Sequence, residues 1–425
     1  MKAWLFETSS SAPVVEKNLY LPKSGIPRPK PSANEVLAEV WSTTLNPIDF
    51  KILELGIPSR LLFRSPVTPG LDLCGRVVEV GSKATSFKLG DIVYGVCNGV
   101  FGHGHGALAE YVPVSQDTIA LVPVDMKAED LGTIATVGLT TYQAMEPFVK
   151  PGDRVFINGG SGGTGVLAIQ IAKALSCHVM KSCSASNVKL CKDLGADEVL
   201  DYKEADIVQQ LKSADKPFDM ILDNVGVPTN LYRISHEFLT SKGTYVQVGN
   251  GMDFSAFRVL LGNMFLPSFL GGGKRKYVFA VTKPNREDLQ QLATWVQEGK
   301  IRVIVDSVYD FGSAREAFAK LKTGRARGKV VVRVKEARRM GETILMALEN
   351  ADSERLAFGA KGRQTNYWRQ IHANIELISP LVRLYYNFHS WGSGLRGHSR
   401  QKTTTHREHE TNRMRLVRLT TAPAP

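Results

Sequence analysis

The stretch RVFINGGSGGTG, residues 154–165, determines how this sequence folds. Its first five residues form an apolar run typical of a buried strand, and a helix-like segment begins at Thr164. Between them, Gly160, Gly162 and Gly165 have the spacing G-x-G-x-x-G. A strand, a glycine turn and a helix in this order bring backbone N–H groups and the helix dipole close to a pyrophosphate. The stretch therefore predicts a dinucleotide site, against the alternative of a flexible surface loop with accidental spacing.

The whole turn is predicted to contact the pyrophosphate. The predicted contacts are Gly160, Ser161, Gly162, Gly163, Thr164 and Gly165. Toward the C-terminus, the short apolar runs HVMKS, EVLDY, DMILD, TYVQV and YVFAV alternate with helix-like segments. This alternation predicts a parallel sheet with helices on both faces. Residues 1–150 consist instead of short alternating runs separated by Gly and Pro, which predicts a compact β-rich part.

The second strand indicates which dinucleotide is bound. An acidic residue about 20 positions after the turn would hold the ribose 2′-hydroxyl of NAD. Residues 180–187, MKSCSASN, contain no acid but contain Lys181, Ser184 and Asn187. A cation with several hydrogen-bond donors suits a 2′-phosphate, so the sequence favours NADPH as the cofactor. The alternative is that these residues only cap the next helix.

The net charge of +12 over 425 residues is concentrated near one end of the chain. Residues 337–425 hold 14 Lys and Arg against 7 Asp and Glu, which is more than half of the excess. This segment is polar, with weak periodicity and few interleaved aromatic residues. We therefore expect a basic, largely disordered C-terminal extension and no nucleic-acid partner.

The spacing of the cysteines and the hydropathy of the chain argue against a disulfide-bonded protein and against a membrane-spanning one. The five cysteines include no C-x-x-C pair, which argues against a disulfide framework and against a structural zinc cluster. No run is long and apolar enough for a transmembrane segment. The N-terminus, MKAWLFE, has neither the apolar core of a signal peptide nor the Arg-rich character of a transit peptide. We expect a cytoplasmic protein.

Nine ordered motifs carry a family resemblance across residues 1–334. They are LNPIDFK (45–51), PGLDLCGRVVEVG (69–81), FKLGDIVYG (87–95), GALAEYV (106–112), TVGLTTYQAM (136–145), the glycine turn, LGADEVLDY (194–202), FDMILDNVG (218–226) and GKVVV (328–332). With these motifs the chain resembles the zinc-independent quinone oxidoreductase and enoyl reductase branch of the medium-chain dehydrogenase/reductase superfamily. The zinc-dependent members carry a Cys within the segment matching 46–49 and a Gly-His-Glu at 70–72, and this chain has neither. The resemblance therefore implies no metal.

The resemblance implies an α/β fold with two domains. A GroES-like, β-rich catalytic domain would span 1–125 and be completed by about 308–336. A Rossmann domain with a doubly wound parallel sheet would span 126–307 and bind NADPH, and the extension would occupy 337–425. The segment 254–273 is apolar, and three interpretations stay open: a helix and loop shaping the substrate pocket, part of a homodimer interface, or a core helix.

The resemblance also implies a reaction and the residues that serve it. Hydride would pass from nicotinamide C4 to a quinone or to the β-carbon of an α,β-unsaturated carbonyl. The residues Asn46, Asp49 and Lys51 would lie beside the nicotinamide and act in catalysis. Further cofactor contacts would be Gly138, Thr140, Tyr202, Asn224, Val248, Gly249 and Lys329. For the residues at 46–49, the alternative is ordinary turn chemistry.

Two other functions remain open at this point. One is a trans-acting enoyl reductase of a polyketide pathway, which has the same scaffold and chemistry. The other is a non-catalytic, NADPH-binding regulatory protein that uses the basic extension to bind RNA. The extension carries no RNA-binding motif, so the sequence favours an enzyme that acts on a small quinone or enone.

Overall fold

The computed structural model describes residues 1–8, 13–63, 65–97, 104–159, 161–249 and 254–335. Gly160 of the predicted pyrophosphate turn and the predicted extension at 337–425 lie outside the described residues. The helices are α1 (Val15–Asn18), α2 (Pro47–Lys51), α3 (Ile57–Leu62), α4 (Ala128–Met145), α5 (Gly163–Ala174), α6 (Val188–Asp193), α7 (Ile207–Lys212), α8 (Leu231–Ile234), α9 (Phe254–Phe265), α10 (Arg286–Gln297) and α11 (Ala314–Lys322).

The first sheet has seven strands and is mostly antiparallel. Its strands are β1 (Glu35–Leu45), β2 (Asp72–Val80), β3 (Ile92–Val96), β4 (Tyr111–Ser115), β5 (Ile119–Leu121), β12 (Val305–Asp310) and β13 (Lys329–Arg333). The central strand β1 pairs with β2, β4 and β13, and ten of its eleven residues are buried. The chain thus leaves this sheet after β5 and returns to it with β12 and β13.

The second sheet has six strands, and all of its pairings are parallel. Its strands are β6 (Arg154–Asn158), β7 (His178–Cys183), β8 (Glu198–Asp201), β9 (Phe218–Asp223), β10 (Leu239–Gln247) and β11 (Lys276–Phe279). The strand order is β11-β10-β9-β6-β7-β8. The chain therefore proceeds outward from β6 in one direction and restarts at β9 in the other. This reversal is the topological switch point of a doubly wound sheet, where such folds bind ligands.

Burial follows the predicted patterns. The strand β9 is buried at five of its six positions, as expected for a parallel strand covered by helices on both faces. The long helix α4 joins the two sheets in sequence and packs against β2 and β3 on one side and α5 and α10 on the other. The predicted fold class is confirmed: an α/β protein with a β-rich part and a doubly wound parallel sheet. In the part of the chain that the structure describes, no helix meets the length and apolarity needed to cross a bilayer.

Candidate cofactor and active site

The carboxyl ends of β6 and β9 meet at the switch point and are fixed by side-chain hydrogen bonds. Asn158 Nδ2 donates to Asp223 Oδ1 at 2.9 Å and to the Val227 carbonyl at 2.8 Å. The Tyr245 hydroxyl donates to Asp223 Oδ2 at 2.6 Å. Asp223 is buried, and burial raises the pKa of its carboxyl group. Ser182 Oγ accepts from the Gly159 N–H at 2.9 Å, so the end of β7 joins the same network.

The glycine turn leaves open space next to the N-terminus of α5. Gly159 has φ +72°, and a Cβ there would lie 1.8 Å from Val225 Cγ2, so the position requires glycine. Gly162 is the N-cap residue of α5, and a Cβ added to it would meet nothing within 4 Å. The first N–H groups of a helix have no partner within the helix. The turn therefore offers an open approach to backbone donors and a positive dipole end, which fits the pyrophosphate of a dinucleotide.

A cavity of about 780 Å³ lies over this turn and includes residues of both sheets. Its volume is within the range of small-molecule and cofactor sites, roughly 300–1,000 Å³. The lining residues from the predicted set are Asn46, Ser161, Gly162, Gly163, Thr164, Gly165, Ser184, Tyr202, Asn224 and Lys329. The structure thus gathers ten of the predicted residues, distant in sequence, around one cavity.

At one end of the cavity lie the polar groups that follow β7. Ser184 Oγ accepts from Asn187 Nδ2 at 3.3 Å and lies 3.2 Å from Ser186 Oγ. Tyr202 is half exposed beside them. Asp206 also lines the cavity, but its Oδ1 accepts the backbone N–H groups of Val208 and Gln209 and caps α7. The hydroxyl groups of Ser184 and Tyr202 and the carboxylate of Asp206 therefore line this part of the cavity.

Lys181 does not reach this cluster. Its side chain is fully buried, and Nζ donates to the Gly165 carbonyl at 2.7 Å, beneath the first turn of α5. Burial lowers the pKa of this ammonium to about 8. The strand β7 directs this side chain toward α5, so the ammonium contacts the backbone of the first turn of that helix. The predicted contact between Lys181 and a 2′-phosphate is not made by this arrangement.

Behind Asn46 and Lys329, which line the cavity, Asp72 is the centre of a buried polar cluster. Its Oδ2 accepts from Thr44 Oγ1 at 2.5 Å, from Asn46 Nδ2 at 3.0 Å and from Lys329 Nζ at 3.2 Å. Its Oδ1 accepts the Thr136 N–H at 2.8 Å. Lys329 Nζ also donates to Asn46 Oδ1 at 2.5 Å. The cluster connects β1, β2, α4 and β13, so residues far apart in sequence lie together. We call this cluster the polar wall; its members are Thr44, Asn46, Asp72, Thr136 and Lys329.

Asp49 and Lys51 lie behind this wall. Asp49 is buried, and its Oδ2 accepts the Asn46 N–H at 2.6 Å, which fixes the start of α2. Burial, with Asp72 nearby, raises the pKa of Asp49 to about 7. Lys51 is partly buried at the end of α2, and desolvation lowers the pKa of its ammonium. Neither side chain lines the cavity.

Other predicted contacts also lie outside the cavity lining. Gly138 faces Leu292 of α10, and Thr140 Oγ1 donates to the Thr136 carbonyl at 2.7 Å. The predicted residues Asn187, Val248 and Gly249 likewise do not line the cavity. The residue before Gly138, Val137, does line the cavity, and the buried Thr136 Oγ1 has no hydrogen-bond partner among the described residues. The helix α4 therefore contributes to the cavity through Val137, whereas Gly138 faces α10.

Several lining residues were not predicted from the sequence. They are Leu45, Pro47, Val137, Asn158, Gly159, Ser182, Cys183, Asp206, Ile207, Val225, Val227, Pro228, Leu321, Gly324, Ala326 and Gly328. The sequence does contain a signal for Asn158 and Gly159, because both belong to the glycine-rich stretch 154–165. Within the described ranges no cluster of three or more His, Cys, Asp or Glu residues forms a metal site.

Known proteins are similar to this chain in both its β-rich part and its parallel sheet. A family model described as an alcohol dehydrogenase GroES-like domain matches residues 32–126, and one described as a zinc-binding dehydrogenase matches residues 194–332. A trans-enoyl reductase of Aspergillus terreus is 43% identical over 353 residues, covering 79% of this chain and 97% of its own. A chloroplast envelope quinone oxidoreductase homolog of Arabidopsis thaliana is 30% identical, covering 72% and 92%. The solved quinone oxidoreductase of Coxiella burnetii has a TM-score of 0.68 at 30% identity, covering 79% and 99%.

Proposed function

Because this chain belongs to the medium-chain dehydrogenase/reductase superfamily, and is an oxidoreductase of that family, we propose that it is a zinc-independent reductase that uses NADPH. Its substrate would be a small quinone or an α,β-unsaturated carbonyl compound. The observation that carries this proposal is the single cavity that connects the glycine turn at Gly162 with the buried polar cluster at Asp72 and Lys329.

The glycine turn and the polar wall would have different roles in this cavity. NADPH, when bound, supplies the hydride. The turn and the start of α5 would hold the pyrophosphate, and the polar wall would face the reacting part of the substrate. The apolar side chains of Leu45, Val137 and Val225 also line the cavity and would exclude water from it.

The preference for NADPH rests on the hydroxyl and amide groups that follow β7. Ser184 and Tyr202 line the cavity there, and the end of β7 has no acidic residue to bind the 2′-hydroxyl of NAD. Asp206 is close by, but one of its oxygens is occupied by the cap of α7. The hydroxyl groups of Ser184 and Tyr202 can donate to a 2′-phosphate, which supports NADPH in this proposal.

The proposal of a zinc-independent reaction rests on Asp72. This residue stands in the segment where zinc-dependent relatives have a Gly-His-Glu. Its two oxygens are already occupied by three side-chain donors and one backbone N–H. The ammonium of Lys329 lies 3.2 Å from Asp72 Oδ2 and supplies the positive charge beside this carboxylate.

A second candidate function is enoyl reduction in trans for a polyketide synthase. The observation that favours it is the 43% identity with the Aspergillus terreus trans-enoyl reductase over nearly its full length. The same chemistry would apply, with the enone carried as a thioester. The non-catalytic alternative is weaker, because a regulatory dinucleotide site does not need a buried polar cluster facing the cofactor.

Steady-state kinetics test the proposed function. Purified protein should oxidise NADPH, and NADH at least roughly tenfold less efficiently, with short enones, quinones or enoyl thioesters as acceptors. The rank of the acceptors distinguishes the two candidate functions. Tight NADPH binding without turnover of any acceptor would favour the non-catalytic alternative. The cytoplasm as the location and a homodimer as the assembly remain proposals that fractionation and light scattering can test.

A further inference from the structure

Lys329 has the geometry of a catalytic group. It is the first residue of β13 and only 5% exposed, yet its side chain lines the cavity. Its Nζ donates to Asn46 Oδ1 and to Asp72 Oδ2. A lysine ammonium has three N–H donors, so one donor remains after these two contacts.

The neighbouring amide cannot take the same role. Asn46 Nδ2 donates to Asp72 Oδ2 at 3.0 Å and to the Thr44 carbonyl at 3.4 Å, while its Oδ1 accepts from Lys329. Every hydrogen-bonding atom of the Asn46 side chain is therefore engaged within the wall. The sequence-based expectation that this amide donates to a developing enolate does not fit these contacts, and the free donor belongs to the lysine.

The ammonium is also fixed in place before any substrate arrives. Asp72 is fully buried and supplies its counter-charge. The lysine stem packs against the glycine turn, because a Cβ added to Gly163 would lie 2.8 Å from Lys329 Cδ. Among the described lining residues, Lys329 is the only cation. A fixed charge in a site shielded from water stabilises developing negative charge strongly, since nothing has to reorganise during the reaction.

We propose that the free N–H of Lys329 binds the carbonyl oxygen of the substrate and stabilises the enolate, or the quinol oxyanion, formed by hydride addition. This inference rests on the proposed function. As hydride bonds to the β-carbon, the electron pair of the C=C bond moves to the new C=C bond of the enolate, and the carbonyl pair moves to oxygen. The ammonium keeps its proton and donates a hydrogen bond to that oxygen. A proton from solvent then bonds to the α-carbon, which restores the carbonyl group.

Lys329→Met tests the assignment, because it keeps most of the length of the side chain and removes the charge. Asp72 keeps three donors in this variant, so we expect it to fold. The kcat should fall by about 10²–10³-fold, the loss seen when one oxyanion donor is removed. The Kd for NADPH, measured by fluorescence, should change little. Lys335→Met removes a partly exposed lysine paired with Glu39, serves as the matched control and should keep the wild-type kcat.

A second measurement needs no turnover. With NADP⁺ bound, 4-nitrophenol mimics the enolate, and its visible absorbance shows whether the bound phenol is ionised. Wild-type protein should bind the phenolate form and lower the apparent pKa of the phenol, and Lys329→Met should lose this shift. If Lys329→Met does not fold, the wild-type spectrum still decides, because a bound phenol that stays protonated contradicts the assignment.

The outcomes separate the assignment from the proposed function. A wild-type protein that reduces no acceptor contradicts the proposed function. A wild-type protein that reduces enones, with Lys329→Met equally active or weakened only in NADPH affinity, contradicts the assignment of Lys329 alone. Loss of kcat together with loss of the phenolate shift supports it.

Discussion

The carboxyl group of Asp49 makes the folding stability of this protein depend on pH. Burial raises its pKa from the ordinary 3.8 to about 7 in the native state. Between these values the native state binds more protons than the unfolded state, so the contribution of Asp49 to stability is lost as the pH rises toward 7. Asp49→Asn should flatten this dependence between about pH 4 and 7, because the neutral amide can still accept from the Asn46 N–H.

Urea unfolding at several pH values measures this effect. Each pKa unit of difference corresponds to about 1.4 kcal/mol, so the change in slope is large enough to detect. Asp117→Asn, at an exposed position, is the matched control and should leave the wild-type profile unaltered. An Asp49→Asn profile parallel to that of wild type would show that the carboxyl is not protonated in the native state.

The glycine turn and the first turn of α5 act as one element. A Cβ at Gly162 would meet no protein atom within 4 Å, and Gly162 lines the cavity, so the space beside it is open to a bound ligand. Gly162→Ala should therefore raise the Kd for NADPH by roughly tenfold or more, because the methyl group occupies the path of the phosphates. Its effect on thermal unfolding should be small, since only the N-cap preference changes.

Calorimetric titration with NADPH and a thermal melt distinguish binding from folding in this variant. Gly312→Ala is the matched control, because its added Cβ also meets nothing within 4 Å, but the position lies outside the cavity lining. Unchanged NADPH affinity in Gly162→Ala would place the pyrophosphate elsewhere.

Helices and strands were easier to predict from the sequence than the directions of individual side chains. All six strands of the parallel sheet and the start of α5 followed from short apolar runs and one glycine pattern, because these features depend on neighbours along the chain. On α4 the predicted residue Gly138 faces Leu292 of α10, whereas the adjacent Val137 lines the cavity. Lys181 was expected at the surface of the cavity, but the parallel sheet directs it beneath α5.

The polar wall could not be predicted as a unit. Asn46 and Lys329 were each suggested by a motif, but their contact joins positions 283 residues apart in sequence. Asp72 was noticed only as a missing zinc ligand. Its role as the centre of the cluster depends on the return of β13 to β1, which no local pattern contains.

The described residues that line the cavity all lie between Leu45 and Lys329. The Aspergillus terreus relative is matched over 97% of its length while 79% of this chain is used. A chain that ends after Lys335 should therefore keep its Kd for NADPH and its kcat/KM for enones. Fluorescence titration and steady-state assays on this truncated chain check the expectation. Loss of NADPH binding on truncation would move the proposed domain boundary beyond 336.

The most direct test of the proposed function follows the hydride itself. The protein is supplied with an enone and with NADPH that carries deuterium at nicotinamide C4, and the product is analysed by NMR. We predict deuterium from the cofactor at the β-carbon of the saturated ketone and, in a parallel reaction in D₂O, solvent deuterium at the α-carbon only. A product without cofactor-derived deuterium at the β-carbon would contradict the proposed hydride transfer.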